Sequence, residues 1–172
     1  GGGGGGEVVG VGGSSCPATD AIAVSLQTVE NFSEAVSSTI TATSSVAPCS
    51  SISVSLIFSG QAISGTDFQN VTTLVIPANQ TVGSIELEAI DDNIYEGNET
   101  IVVDISAVDG GIESGTQQQS FILQDNETQP TVTLATSTTS IDEKTGAATL
   151  TATASGAADE NIVVTLSGSG TA

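Results

Sequence analysis

The sequence predicts an all-β fold, a sandwich of two antiparallel sheets, and three observations carry that prediction. Apolar and polar residues alternate with period two along most of the chain, as in SISVSLIFSG, the pattern of strands with one wet face. Turn chemistry recurs at short intervals, and no segment carries a helical period. Aromatics are only 3% and Trp, Met and His are absent, so the 38% hydrophobic content must build its core from Val, Ile, Leu, Ala and a few Phe, a β-rich palette.

The elements follow in order. Residues 1–20 begin GGGGGGEVVGVGGSS, a low-complexity stretch that cannot bury a face and reads as a flexible linker or lead-in. Seven strands are then expected at 21–26, 38–45, 52–59, 70–76, 82–90, 99–108 and 117–124. Ile52, Val54, Leu56 and Phe58 face inward in the third strand, Ile85 and Leu87 in the fifth, and Phe121 and Leu123 in the seventh. The sixth turns Ile101, Val103 and Ile105 to the core. The turns FSGQAISGTD, IPANQT, DDNIYEGNE and VDGGIESG separate them, with Asn79 at a hairpin tip as a residue that tolerates positive φ.

An internal repeat organises the rest. STITATSS (38–45) returns as ATLTATAS (148–155) and SLIFSGQA (55–62) as TLSGSGTA (165–172), both at a spacing of 110; QTVE (27–30) lies beside SIDE (140–143) with three residues of slack. The first copy therefore occupies 21–127 and a second, partial copy 131–172. Three strands of a sandwich leave an apolar face uncovered, so the expectation is a longer tandem array in which the remainder lies beyond residue 172 or comes from a neighbouring chain.

Charge narrows the function. Twenty Asp and Glu stand against one cation, Lys144, for a net charge of -19. Nucleic acid and anionic membrane surfaces are not expected as partners, because both favour clustered Lys and Arg; cations or basic surfaces are the natural counterparts. Cys16 and Cys49 are expected to form one disulfide, with two separate thiols as the alternative. Asn31, Asn70, Asn79, Asn98 and Asn126 each begin an N-x-Ser/Thr triplet, which points to a glycosylated, exported protein. No apolar run approaches the roughly 20 residues of a membrane span, and any export signal is expected outside this sequence.

The stretch IDDNIYEGNE (90–99) crowds Asp91, Asp92, Glu96 and Glu99 into ten residues with no cation to pair them. Hard divalent cations take several oxygen ligands in flexible geometry, whereas zinc, copper and iron favour His or thiolate. Calcium is the metal such a cluster suits. Asp91, Asp92 and Glu96 share one connection in which the Ile94 carbonyl can turn inward; Asp67 in SGTDF and Asp125 in LQDNET lie in loops expected at the same end of a sandwich. An acidic turn that is solvated and empty is the alternative reading.

The run SGTDF, TLVIPANQT, IELEAIDDNIYEGNETIVVDIS and FILQDNE resembles the Calx-beta domain, a module of sodium/calcium exchanger regulatory loops, integrin and matrix proteins, and tandem arrays of bacterial surface proteins. The resemblance implies a seven-stranded, immunoglobulin-like antiparallel sandwich that holds calcium at one end. It carries the ligand roles to Glu30, Asp67, Asp91, Asp92, the carbonyl of Ile94, Glu96 and Asp125, with Glu143 the counterpart of Glu30 in the second copy. Where calcium-binding members end in a run of aspartates this chain has Gln124, Asp125, Asn126 and Glu127, which implies fewer ions or weaker binding.

Catalysis is not expected. Without His there is no Ser/His/Asp or Cys/His arrangement, no glycine loop precedes a helix, and the carboxylates sit on rim turns rather than in an aromatic-lined groove. The leading expectation is a structural module of an extracellular or cell-surface fibre or adhesin, its partners being neighbouring modules and neighbouring chains of a filament, with calcium stiffening the joint between modules. A regulatory calcium-sensing module of a transport or signalling protein, and an adhesive module that binds a glycan or protein itself, are the alternatives. Many near-identical copies would favour the fibre, and flanking membrane spans the sensor.

Overall fold

The computed structural model describes residues 13 and 15–171; most of the expected Gly-rich lead-in lies outside them. A short 3-10 turn at Thr19–Ala21 leads into β1 (Ala23–Leu26), β2 (Phe32–Ser33), β3 (Ser37–Ser44), β4 (Ile52–Gly60), β5 (Thr73–Ile76), β6 (Val82–Glu88), β7 (Ile94–Tyr95), β8 (Glu99–Asp109), β9 (Ile112–Glu113) and β10 (Gln118–Gln124). One sheet runs β6-β3-β1-β9 and the other β2-β10-β8-β4-β5. Every expected strand is present, with ends moved by up to three residues. The two-residue strands β2, β7 and β9 are additional, and the pairings β1–β9 and β10–β2 are parallel within the otherwise antiparallel sheets.

The period-two alternation becomes burial. Ile52, Val54, Ile101, Val103, Leu74 and Leu87 are fully or almost fully buried between the sheets, and Phe68 joins them from the loop after β4. Phe58 is only half-buried, at the end of its strand, where its ring packs 5.3 Å from that of Phe68. Asn79 has φ 62° at the tip of the β5–β6 hairpin, and its amide donates to the carbonyl of Pro48 at 2.7 Å.

The two sheets come close at their β5 and β6 edges, and the closeness depends on one residue. A Cβ on the buried Gly83 would stand 2.1 Å from the Val75 carbonyl oxygen, and backbone cannot move as a side chain can. Gly83→Ala is expected to lower unfolding free energy by roughly 1–3 kcal/mol, read from urea midpoints at an unchanged slope. A midpoint equal to that of the unsubstituted chain would mean that the edges separate at little cost.

The second copy reproduces the start of the first. β11 (Val132–Thr136) and β12 (Leu150–Ala154) pair antiparallel, followed by β13 (Ala157–Ala158). Val132 faces Ala154 as Val24 faces Ser44, so the copies are offset by 108 at the first of these strands and 110 at the second. Two flanking bonds repeat as well: Thr131 N to Ser155 Oγ at 2.9 Å matches Ala23 N to Ser45 Oγ at 3.0 Å, and Ser155 N to Thr131 O matches Ser45 N to Ala23 O. Burial does not repeat. Val24 and Leu26 are 0% and 5% exposed, Val132 and Leu134 37% and 54%.

Candidate metal centre

The acidic residues gather at the end of the first sandwich where β8 begins and β10 ends. Asp67 is fixed there by backbone. Its amide bonds the Ile63 carbonyl, its Oδ2 accepts the Ile63 amide at 2.5 Å, its own carbonyl accepts the amide of Ile90, and the adjoining Phe68 is anchored in the core. Glu96 and Glu99 flank Gly97, whose φ of 78° lets the chain turn into β8. Carboxylate oxygens of Asp67, Glu96 and Glu99 lie within 4.8 Å of one another. Burial, then the Asp67 charge, raise both glutamates above the ordinary carboxylate range, Glu99 to about 7.

A second trio stands beside the first: Glu34, Asp91 and Glu127, again within 4.8 Å. Strand β2 delivers Glu34, because β2 lies parallel to the end of β10 and the Glu34 amide bonds the Gln124 carbonyl at 3.1 Å. Glu34 is 5% exposed, and burial followed by the charge of Glu127 pushes it up to about 8. These two glutamates can bond each other only while one keeps a proton. Neither Glu34 Oε2 nor Glu127 Oε2 has a hydrogen-bond partner, although both atoms are buried.

The remaining expected ligands organise the loops. Asp92 Oδ1 accepts the Ile94 amide at 2.7 Å, closing the turn into β7. Asp125 accepts from the amides of Glu96 at 2.8 Å, Gly97 at 2.5 Å and Glu127 at 2.7 Å. Burial pushes Asp125 up, but these amides outweigh it and hold the carboxyl below its ordinary range. Asn126 Nδ2 donates to Asp91 Oδ1 at 2.7 Å. Glu30 is exposed and belongs to neither trio; its carbonyl receives the Ser38 hydroxyl at 3.4 Å.

The donor set suits a hard divalent cation. It consists of carboxylates only, both cysteines are joined in the Cys16–Cys49 disulfide, and the chain's single Lys or Arg is Lys144, between β11 and β12. Two buried acceptors without donors are costly when ionised, and a cation would satisfy them. Comparison with known proteins supplies the family: the Calx-beta domain family profile matches residues 24–127 and again 125–172. The chain belongs to the Calx-beta family.

No curated protein matches the chain significantly. Among solved structures, CBD12 from CALX1.2 superposes with a TM-score of 0.52 at 17% identity, covering 60% of this chain and 45% of that one. The calcium binding domain CBD12 of CALX1.1 gives 0.51 at 17% identity, over 59% and 44%. The apo-form Calx CBD1 domain gives 0.50 at 17% identity, over 62% of this chain and 99% of that one. The chain thus spans less than half the length of the first two, and at this identity the likeness is one of fold.

Within this Calx-beta module the register of the repeat explains Glu34. Offsets of 108 at β11 and 110 at β12 bracket the spacing of 109 between Glu34 and Glu143, whereas Glu30 lies 113 away. The flanking register therefore sets SIDE nearer to FSE than to QTVE. The five sequon asparagines are all exposed, but Asn31, Asn70 and Asn98 accept hydrogen bonds through Oδ1, and Asn126 spends its amide nitrogen on Asp91.

Proposed function

We propose that the chain is a structural repeat of an extracellular fibre or surface adhesin, and that calcium held at the acidic pole of one Calx-beta copy stiffens its joint with the next. The observation that carries this reading is the position of the pole. The second copy attaches there, β13 pairing in parallel with β7, the strand that lies between Asp92 and Glu96. Asp67, Glu96 and Glu99 would hold one cation and Glu34, Asp91 and Glu127 another, with Asp92 and Asp125 holding the loops in place. The cation supplies a doubly charged counterion that relieves repulsion among these groups. In this reading no catalytic step is assigned, and the partners are neighbouring modules.

Exposure outside cells is supported by the disulfide and the sequons, and no helix among the described residues is long and apolar enough to cross a membrane. A regulatory calcium-sensing role is the second reading, favoured by the superposition on the calcium binding domain CBD12 of CALX1.1. Thermal unfolding of the full chain in calcium and in chelator tests the shared core of both. A rise of several degrees with calcium is expected, as for any ligand that binds only the folded state, and removing one ligand from each trio, Asp91→Asn with Glu96→Gln, should abolish it. Superimposable melts would remove calcium from both readings.

A further inference from the structure

The chain enters the first sandwich at one end and leaves it at the other. β10 closes at the acidic pole, where Leu123 pairs with Glu99. Cys49 and the start of β4 lie at the opposite end, where Ser53 pairs with Asp109. Cys16 is joined to Cys49 across 33 residues, and the closed loop contains all of β1, β2 and β3. Between Cys16 and β1 lies a short turn whose bonds, Ala21 N to Ala18 O and Ile22 N to Thr19 O, are local.

We propose that the disulfide is a load-transfer clasp: tension arriving from the Gly-rich side passes from Cys16 to Cys49, bypasses β1, β2 and β3, enters β4 and leaves through β8 and β10. The inference rests on the fibre reading above for the source of the tension, and not on the cation. Three features support it. The bypassed strand is the weaker one: β1 has four residues, paired along Val24–Leu26 with β3 and along Ala23–Val24 with β9. β4 has nine, paired along Ser53–Gly60 with β8 and along Ile52–Ser55 with β5. The direction of pull also suits the second route. β4 and β10 flank β8 and both run antiparallel to it, so a pull on the start of β4 and the end of β10 slides them in opposite senses along β8. The inter-strand bonds lie across that pull and share it, so many individually weak bonds must break together. Finally, the clasp belongs to the copy behind the Gly-rich stretch. The offset of 110 that relates β12 to β3 puts Asp159 in the place of Cys49, so the second copy has no counterpart.

Reduction therefore changes the path as well as the length. Both cysteines are exposed, so a thiol reductant reaches the bond. Once it opens, β1 becomes the first strand to bear load, and its short ladder gives way before β4 is strained.

The test holds the full chain by its two ends and pulls it in chelator, oxidised and in thiol reductant. The oxidised sandwich is expected to rupture at about twice the force of the reduced one. Opening the 33-residue loop should add about 110 Å to the extension. Val24→Ala and Val54→Ala remove the same methyl groups from fully buried positions and keep the disulfide, so they assign the route. The oxidised rupture should weaken with Val54→Ala and ignore Val24→Ala, whereas the first reduced rupture should weaken with Val24→Ala. Equal rupture forces in the two redox states, or an oxidised chain weakened as much by Val24→Ala as by Val54→Ala, would overturn the clasp and leave the calcium reading untouched. The expected forces alongside superimposable melts would keep the clasp and remove calcium.

Discussion

In chelator, the folded chain is expected to lose stability as pH rises from about 5 to about 8, the reverse of ordinary acid denaturation. Glu34 is raised to about 8 by burial and then by Glu127, Asp125 and Asp92; Glu99 is raised to about 7 by burial and then by Asp67, Glu96 and Asp159. An unfolded glutamate titrates near 4.5. Between these values the folded state binds more protons than the unfolded one, so the stability present below the unfolded pKa disappears as pH climbs through the folded values. Asp125, held low by three amides, acts in the opposite sense only in more acidic solution. The combined loss should be on the order of a few kcal/mol.

Calcium is expected to reverse the trend, because carboxylates must be ionised to hold it and its binding strengthens as protons leave. Glu34→Gln separates the two regimes. Without calcium at pH 8 it removes a buried charge and should raise the melting temperature; with calcium it removes a ligand and should lower the gain. Melts at four pH values in chelator and in excess calcium, with and without this substitution, read all of these signs. A flat profile in chelator would show that the buried oxygens of Glu34 and Glu127 reach water.

The pole also shows which parts of the molecule the sequence makes legible. Long strands declare themselves, because each inward residue repeats the same choice: β4 alternates burial at Ile52, Val54 and Leu56 as its letters do. β2, β7 and β9 are two residues each and too short to have a period. Yet β2 delivers Glu34 and β7 receives the second copy, so the least legible elements build the pole. Asp91 and Glu96 are legible from local crowding. Glu34 is not, since its approach to Glu127 depends on a parallel pairing between residues 91 apart, Leu123 with Phe32. Glu99 stands inside the acidic run but opens β8, and reads first as a strand residue. Glu127 reads as a departure from an aspartate run, although its buried, unpartnered oxygen places it in the second trio.

Removing the disulfide is expected to cost more than any other single change, and to do so regardless of calcium. Cys16 and Cys49 are 33 residues apart, and closing a loop of that length restricts the unfolded chain by about 3–4 kcal/mol. The native loop would lose a second contact, since Pro48 accepts the Asn79 amide and so joins it to the β5–β6 hairpin. β8 separates the two devices: it starts among the carboxylates of the acidic pole at Glu99 and ends at Asp109, paired with Ser53 beside the stapled loop. Its eleven residues span roughly 35 Å. Sites that far apart, with no shared partner, add their energies. The urea midpoint of Cys16→Ser with Cys49→Ser should therefore fall by the same amount in calcium and in chelator, and a thiol reductant should reproduce the fall in the unsubstituted chain. A smaller loss in calcium would mean that the poles communicate through the sandwich. An equal loss would leave the first copy clamped by independent means at its two ends, covalent at one and ionic at the other.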